Sequence, residues 1–234
     1  MRTASRKPEP LATDTWLSWP KPRTGSSTLV CHPVLVRWIV FDYGEVISRP
    51  TRALPRLAEM LGAPAAAVAP AYWALREQYD RGCTDLEYWQ AVGERAGTDV
   101  DRRLAAALSE ADAIGWLETD PAALALIGEL DRSGASLCLL SNAPSAHGEV
   151  FRRQAWARYF DHIMISGDLG GIAKPDPAIW AALTVLLEAP PADCLFLDDR
   201  QVNVAGARTA GLHAERWTGA ADARAHLARY QVLG

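Results

Sequence analysis

No Cys-x-x-Cys pair occurs in the chain, and no run of lysine and arginine carries interleaved aromatics. No apolar stretch approaches the ~20 residues that a bilayer-spanning helix needs. The four cysteines, Cys31, Cys83, Cys138 and Cys194, are scattered, and the last two fall inside apolar runs where a thiol acts as a small hydrophobe. That usage suits a reducing compartment, so a cytoplasmic location is expected. A net charge of −4 without a basic patch gives no reason to expect nucleic acid or membrane as partner. The basic N-terminal segment has no apolar h-region, which excludes a secretory signal.

What remains is an ordinary globular composition, 49% hydrophobic and 22% charged, in 234 residues, enough for one large domain or a core with an insertion. Residues 1–35 stand apart. Five prolines and Gly25-Ser26-Ser27-Thr28 break any periodicity, so a disordered tail is expected. A start codon placed too early, with the protein proper beginning near Val34 or Val36, accounts for it more simply than a transit peptide.

The chain is organised around Trp38-Ile39-Val40-Phe41-Asp42. Four apolar residues, rich in β-branched and aromatic types, read as a strand buried on both faces that ends in a carboxylate. Residues 50–118 then carry helical patterns only. Val68, Tyr72, Leu75 and Tyr79 share one face, and Thr84 with Glu87 forms a capping box. The aromatics Trp73, Tyr88, Trp89 and Trp116 are expected to form the core of this helical insertion. From residue 119 helices and strands alternate. Strands are expected at 137–140, 162–165, 194–197 and 213–217, and helices open at Pro121 and at Asp176-Pro177, where Asp176 reads as an N-cap. This alternation predicts an α/β fold with a doubly wound, parallel, Rossmann-like sheet and its strand ends on one edge. The domains follow as an α/β core over 36–49 and 119–234, and a small all-helical cap over 50–118.

Polar residues stand at three strand ends: Asp42, Ser141-Asn142 and Asp198-Asp199; Lys174 precedes the Asp176-Pro177 helix start. In an open parallel sheet these positions face one cleft. Carboxylates gathered there repel one another and imply a cation, and an all-oxygen ligand set suits Mg²⁺. Ser141, the amides after it, and Lys174 are donors for phosphoryl oxygens, and an attacking aspartate would give an aspartyl-phosphate.

In this arrangement the chain resembles the haloacid dehalogenase-like hydrolase superfamily, in the branch with a helical cap inserted after the first motif. Phe41-Asp42-Tyr43-Gly44-Glu45-Val46 is similar to the first motif and Leu140-Ser141-Asn142 to the second. Lys174-Pro175-Asp176-Pro177-Ala178-Ile179-Trp180 is similar to the third, and Leu197-Asp198-Asp199 with Asn203, Gly206 and Ala207 to the fourth. The resemblance spans about residues 36 to 220. It implies Asp42 as nucleophile and Mg²⁺ ligand, the Gly44 carbonyl and Asp199 as further ligands, and Asp198 acting through water or by supporting a ligand. Ser141, Asn142 and Lys174 would hold the phosphate, Lys174 also offsetting the charge on Asp42.

The resemblance implies a phosphatase for a small phosphorylated metabolite, with monomer or homodimer left open. One position departs from it. Most phosphatases of the superfamily place an aspartate two residues after the nucleophile, as general acid and base, and here that residue is Gly44. Glu45 is a candidate substitute, or else a solvated glutamate beside the cleft. A missing acid favours good leaving groups, an anomeric sugar phosphate above an alkyl phosphate. Two other readings compete: a metal-free 2-haloacid dehalogenase, which the Asp198-Asp199 pair disfavours, and a binding or regulatory protein that lost turnover at Gly44.

Overall fold

The β-forming run Trp38–Phe41 is β1, and β2 (Ser136–Ser141), β3 (His162–Ile165), β4 (Cys194–Asp198) and β5 (His213–Arg216) assemble around it. This computed structural model describes residues 36–232, so the expected tail over 1–35 lies outside the described residues. Every strand pairing is parallel, in the order β3-β2-β1-β4-β5, with β1 at the centre. The doubly wound sheet expected from the alternating pattern is the one observed.

Four helices lie between β1 and β2 before the crossover helix: α1 (Ala53–Leu61), α2 (Ala65–Asp80), α3 (Asp85–Ala96) and α4 (Arg102–Gly115). Next come α5 (Pro121–Arg132), α6 (Ser145–Phe151), α7 (Pro177–Leu186), α8 (Gln201–Thr209) and α9 (Ala220–Arg229). None of them is long and apolar enough to cross a membrane.

Side chains alternate faces along a strand, and here each face is covered. Val40, Leu140 and Phe196 pack with Trp180 and Leu183 of α7 and Val204 of α8. Ile39, Phe41, Leu139 and Leu197 pack on the other side with Ile127 of α5 and Leu227 of α9. The insertion has its own core, in which Leu57, Val68, Tyr72, Tyr79, Trp89 and Leu108 are fully buried. The apolar face read from Val68, Tyr72, Leu75 and Tyr79 is buried, and Thr84 and Glu87 complete the capping box.

Local expectations fail in three places, each for a physical reason. Trp73 is half-exposed and Trp116 only partly buried, and both line a cavity instead of the insertion's core; Tyr88 and Trp89 do fill that core. Asp176 holds the N-cap position of α7 but makes no capping bond, because its carboxylate accepts from Arg81 of the insertion at 2.5 and 3.2 Å. The apolar spacing of Val150, Phe151 and Trp156 predicts one helical stretch, but it breaks at Phe151 and resumes as a 3₁₀ turn over Ala155–Tyr159. A last helix, α9, follows β5 without having been anticipated.

Candidate active site

The parallel register explains why two aspartates meet. Val40 pairs with Phe196, so two residues on, Asp42 and Asp198 emerge from adjacent strands on the same face. That face is the α7–α8 side, from which the segment before α7 brings in Lys174. The Lys174 ammonium lies 2.6 Å from Asp42 Oδ1 and 2.8 Å from Asp198 Oδ2, and it donates at 3.0 Å to the Leu140 carbonyl. Its three protons therefore have three acceptors. Burial works against the charge on Lys174, but Asp42 and Asp198 outweigh it and hold its pKa above the ordinary lysine value.

Asp198 is fully buried and, besides the Lys174 bond, takes three further contacts: two from the Asn203 amide, at 2.9 and 3.1 Å, and one from the Arg200 backbone N–H at 2.8 Å. Asp199, the next residue, lies just past the end of β4 and is half-buried on the cavity wall. Asp42 is anchored through Oδ1, which also accepts from the Tyr43 N–H at 2.7 Å. Among the described residues, Oδ2 of Asp42 has no donor.

Oxygen atoms of Asp42, Asp198 and Asp199 lie within 4.8 Å of one another. Burial pushes Asp42 up from the usual carboxylate range, with Asp198 adding to the effect and Lys174 opposing it. Asp199 is raised by burial, then by Asp198 and Glu45. One lysine is too little positive charge for three carboxylates. The donor set is oxygen only, and the buried Asn203 Oδ1 on the same wall has no hydrogen-bond donor, a place that a cation's water ligand would satisfy. These residues fit a hard divalent cation such as Mg²⁺.

A cavity of about 590 Å³ opens over this cluster, and Asp42, Gly44, Ser141, Asn142, Lys174 and Asp199 all border it. Ser141 is buried at the end of β2. The Asn142 side chain bonds the Lys174 backbone, donating to its carbonyl at 2.8 Å and accepting from its N–H at 2.9 Å. Asn142 thus fixes the lysine segment, with one N–H of its amide engaged there. Gly44 has no positive φ, and a Cβ there would meet nothing closer than Trp116 Cζ3 at 4.0 Å. Glu45 carries the left-handed conformation instead, at φ 54°.

The opposite wall comes from the insertion and was not read from the sequence. Arg76 of α2 is buried between carboxylates, with Nε donating to Asp80 at 2.8 Å and Nη1 to Asp112 at 3.0 Å. It also donates to the Tyr72 hydroxyl, and Nη2 sits 3.1 Å from His147 Nδ1. A guanidinium can only donate, so Nδ1 accepts and His147 Nε2–H donates to Asp112 at 3.0 Å. His147 is neutral in this arrangement; burial lowers its pKa against the pull of Asp112. One signal was available for Arg76. Tyr72, Arg76 and Asp80 are spaced four apart, which places a cation on the apolar face of α2.

Comparison with known proteins agrees with this geometry. A family model described as haloacid dehalogenase-like hydrolase matches residues 36–211. A phosphoserine phosphatase of Thermus thermophilus is 38% identical over 96 residues, covering 40% of this chain and 38% of that protein. Phosphoglycolate phosphatase 1 of Pseudomonas aeruginosa is 31% identical over 153 residues, covering 56% of this chain and 54% of that one. The chain thus spans about half the length, or less, of the curated relatives it matches. Among solved structures, a haloacid dehalogenase family enzyme of Bacteroides thetaiotaomicron in its magnesium complex superposes with a TM-score of 0.65 at 22% identity, covering 83% of this chain and 98% of that one. A 2-haloacid dehalogenase of Pseudomonas syringae gives 0.63 at 19%, covering 84% and 100%. At such identities the structures speak for the fold alone. The family model spans three-quarters of the sequence and takes in Asp42, Ser141, Lys174, Asp198 and Asp199, so this chain belongs to the haloacid dehalogenase-like hydrolase family.

Proposed function

We propose that the protein is a Mg²⁺-dependent phosphatase of a small phosphorylated metabolite, with Asp42 as nucleophile and the α1–α4 insertion as a cap over the cleft. The observation that carries this reading is the buried cluster of Asp42, Asp198, Asp199 and Lys174 at the central strand ends, more anionic than one lysine can balance. Asp42, Asp199 and the Gly44 carbonyl would hold the cation, which when bound offsets charge on the phosphoryl oxygens. Asp42 Oδ2, free of donors, attacks phosphorus as the bond to the leaving oxygen breaks, giving an aspartyl-phosphate that water then hydrolyses. Lys174 favours the ionised form of Asp42 against the burial that opposes it, while Asp198 and Asn142 hold Lys174 in place. The Ser141 hydroxyl, on the cavity lining, would donate to a phosphoryl oxygen. Family membership and the phosphatase names of both curated relatives support the reading. The test is phosphate release from p-nitrophenyl phosphate with Mg²⁺, repeated in EDTA. Full activity in EDTA, or metal-independent dechlorination of 2-chloropropionate, overturns it.

A further inference from the structure

The cavity over Asp42 has a second half whose chemistry differs from the first. Its cations are already taken. Arg76 is held by Asp80 and Asp112, and Arg81 by Asp176 and Glu77, two guanidiniums against four carboxylates. Arg200 lies on the core side of the rim, close enough to favour the ionised form of Asp80. An anionic group on a substrate would meet a wall of net negative charge and no uncommitted guanidinium from the insertion.

What this wall does offer is aromatic surface and an acceptor. Trp73 is half-exposed at the cavity and packs edge-to-face on Trp116, with ring centroids 6.3 Å apart. Trp116 in turn stands over Gly44, the residue beside the nucleophile where other members carry an acid. Asp80 spends Oδ1 on Arg76, and among the described residues Oδ2 accepts nothing. An indole face together with a fixed carboxylate acceptor suits a ring with apolar C–H edges and several hydroxyl donors.

We propose that Trp73, Trp116 and Asp80 form the leaving-group subsite, and that it takes an uncharged, hydroxyl-rich ring, a sugar or cyclic polyol esterified to the phosphate. The ring lies on Trp73 and its hydroxyls donate to Asp80. This rests on the phosphatase reading above and narrows it. Phosphoserine and phosphoglycolate, named for the curated relatives, each carry a carboxylate that this wall rejects.

The experiment is a kcat/KM panel on the full chain with Mg²⁺: hexose 1- and 6-phosphates and inositol monophosphate against phosphoserine and phosphoglycolate, with acetyl phosphate as the small reference. At least one ring phosphate exceeds both carboxylate substrates by tenfold or more. Trp73→Ala and Asp80→Asn each lower the ratio of ring phosphate to acetyl phosphate by about tenfold, the size of one lost recognition contact. Asp80→Asn also raises the relative rate on phosphoglycolate. Carboxylate substrates that match or beat every ring phosphate overturn the inference, whatever the variants do. So do unchanged ratios in both variants. No hydrolysis of acetyl phosphate overturns the phosphatase reading itself, a different failure from the loss of ring selectivity.

Discussion

The two halves of the cavity are built on opposite principles. On the sheet side, charged groups sit at strand ends, where register and the two-residue period decide which side chains meet: Val40 opposite Phe196 brings Asp42 beside Asp198. On the insertion side, charge is buried within helices and satisfied internally, as Tyr72, Arg76, Asp80, Asp112 and His147 bind one another across α2, α4 and α6. The first arrangement leaves atoms unsatisfied, namely Asp42 Oδ2 and Asn203 Oδ1. The second uses up its cations and leaves Asp80 Oδ2 as its open acceptor among the described residues. The sheet side is thus equipped for chemistry, and the insertion side for holding a shape and refusing the wrong ligand.

That contrast predicts a division of damage. Asp42→Asn should abolish phosphate release, by a factor on the order of 10³ or more, because no other group supplies the attacking oxygen. Its melting temperature should move little, since Lys174 keeps Asp198 and the Leu140 carbonyl. Arg76→Met should do the reverse. It strands Asp112, fully buried, beside Asp80, and breaking such a buried set typically costs about 3–5 kcal/mol of stability. Urea denaturation of both variants checks the pair. A stable Arg76→Met protein would erase the distinction between the two halves.

The sheet side was legible in the sequence because strand ends punctuate it. Apolar runs stop at Asp42, Ser141 and Asp198, and parallel topology sends every such stop to one edge. The insertion side was not legible, because its contacts cross between helices whose packing no local pattern fixes. Trp73 shows the difficulty. It is one residue from Tyr72 on α2, yet the helical turn sends it to the cavity while Tyr72 is buried. Asp176 shows another. As Asp before Pro it had the form of a helix cap, and only the fold brings Arg81 near enough to claim its carboxylate. The contact of Asn142 with the Lys174 backbone was not legible for a similar reason, since that partner is 32 positions away.

A smaller effect sharpens the same comparison. His147 is buried and neutral, its pKa below the ordinary value of 6.5, so the unfolded chain takes up a proton where the folded one resists it. Its contribution to stability is complete above pH 6.5 and is lost as pH falls toward the lower folded pKa. Each unit of that window costs about 1.4 kcal/mol. Asp80 works the other way: burial raises it to about 6, so its ionisation lowers stability as pH rises from about 4 to about 6. The wild type alone therefore gives a blurred profile. His147→Gln, whose amide can accept from Arg76 and donate to Asp112, removes the histidine step and leaves Asp80 in place. The difference between the two denaturation profiles should grow steadily below pH 6.5. Parallel profiles would mean that His147 is not held neutral.

The least expected change concerns the residue at which the two halves touch. Gly44 lies between the nucleophile and Trp116, and it lacks the carboxylate that would protonate a departing alkoxide. If protonation limits the first step, kcat/KM should fall steeply as the leaving alcohol becomes more basic, with aryl and anomeric phosphates far ahead of alkyl ones. Gly44→Asp tests this directly. The backbone there is free of positive φ, and a Cβ would meet nothing closer than Trp116 Cζ3 at 4.0 Å, so the substitution adds no backbone strain and its Cβ no clash. A well-placed acid is worth ~10²–10⁴, but one grafted without its supporting contacts should recover only about tenfold, and only on alkyl substrates. Glu45→Gln separates the alternatives. At φ 54° the Glu45 backbone is held left-handed, and its carboxylate borders the same cavity. If Glu45 donates the proton, its amide variant slows alkyl substrates and spares aryl ones. If it is a solvated neighbour, both rates stay within about twofold. A flat dependence on leaving-group pKa in the wild type would move the limiting step away from bond cleavage and make Gly44→Asp silent.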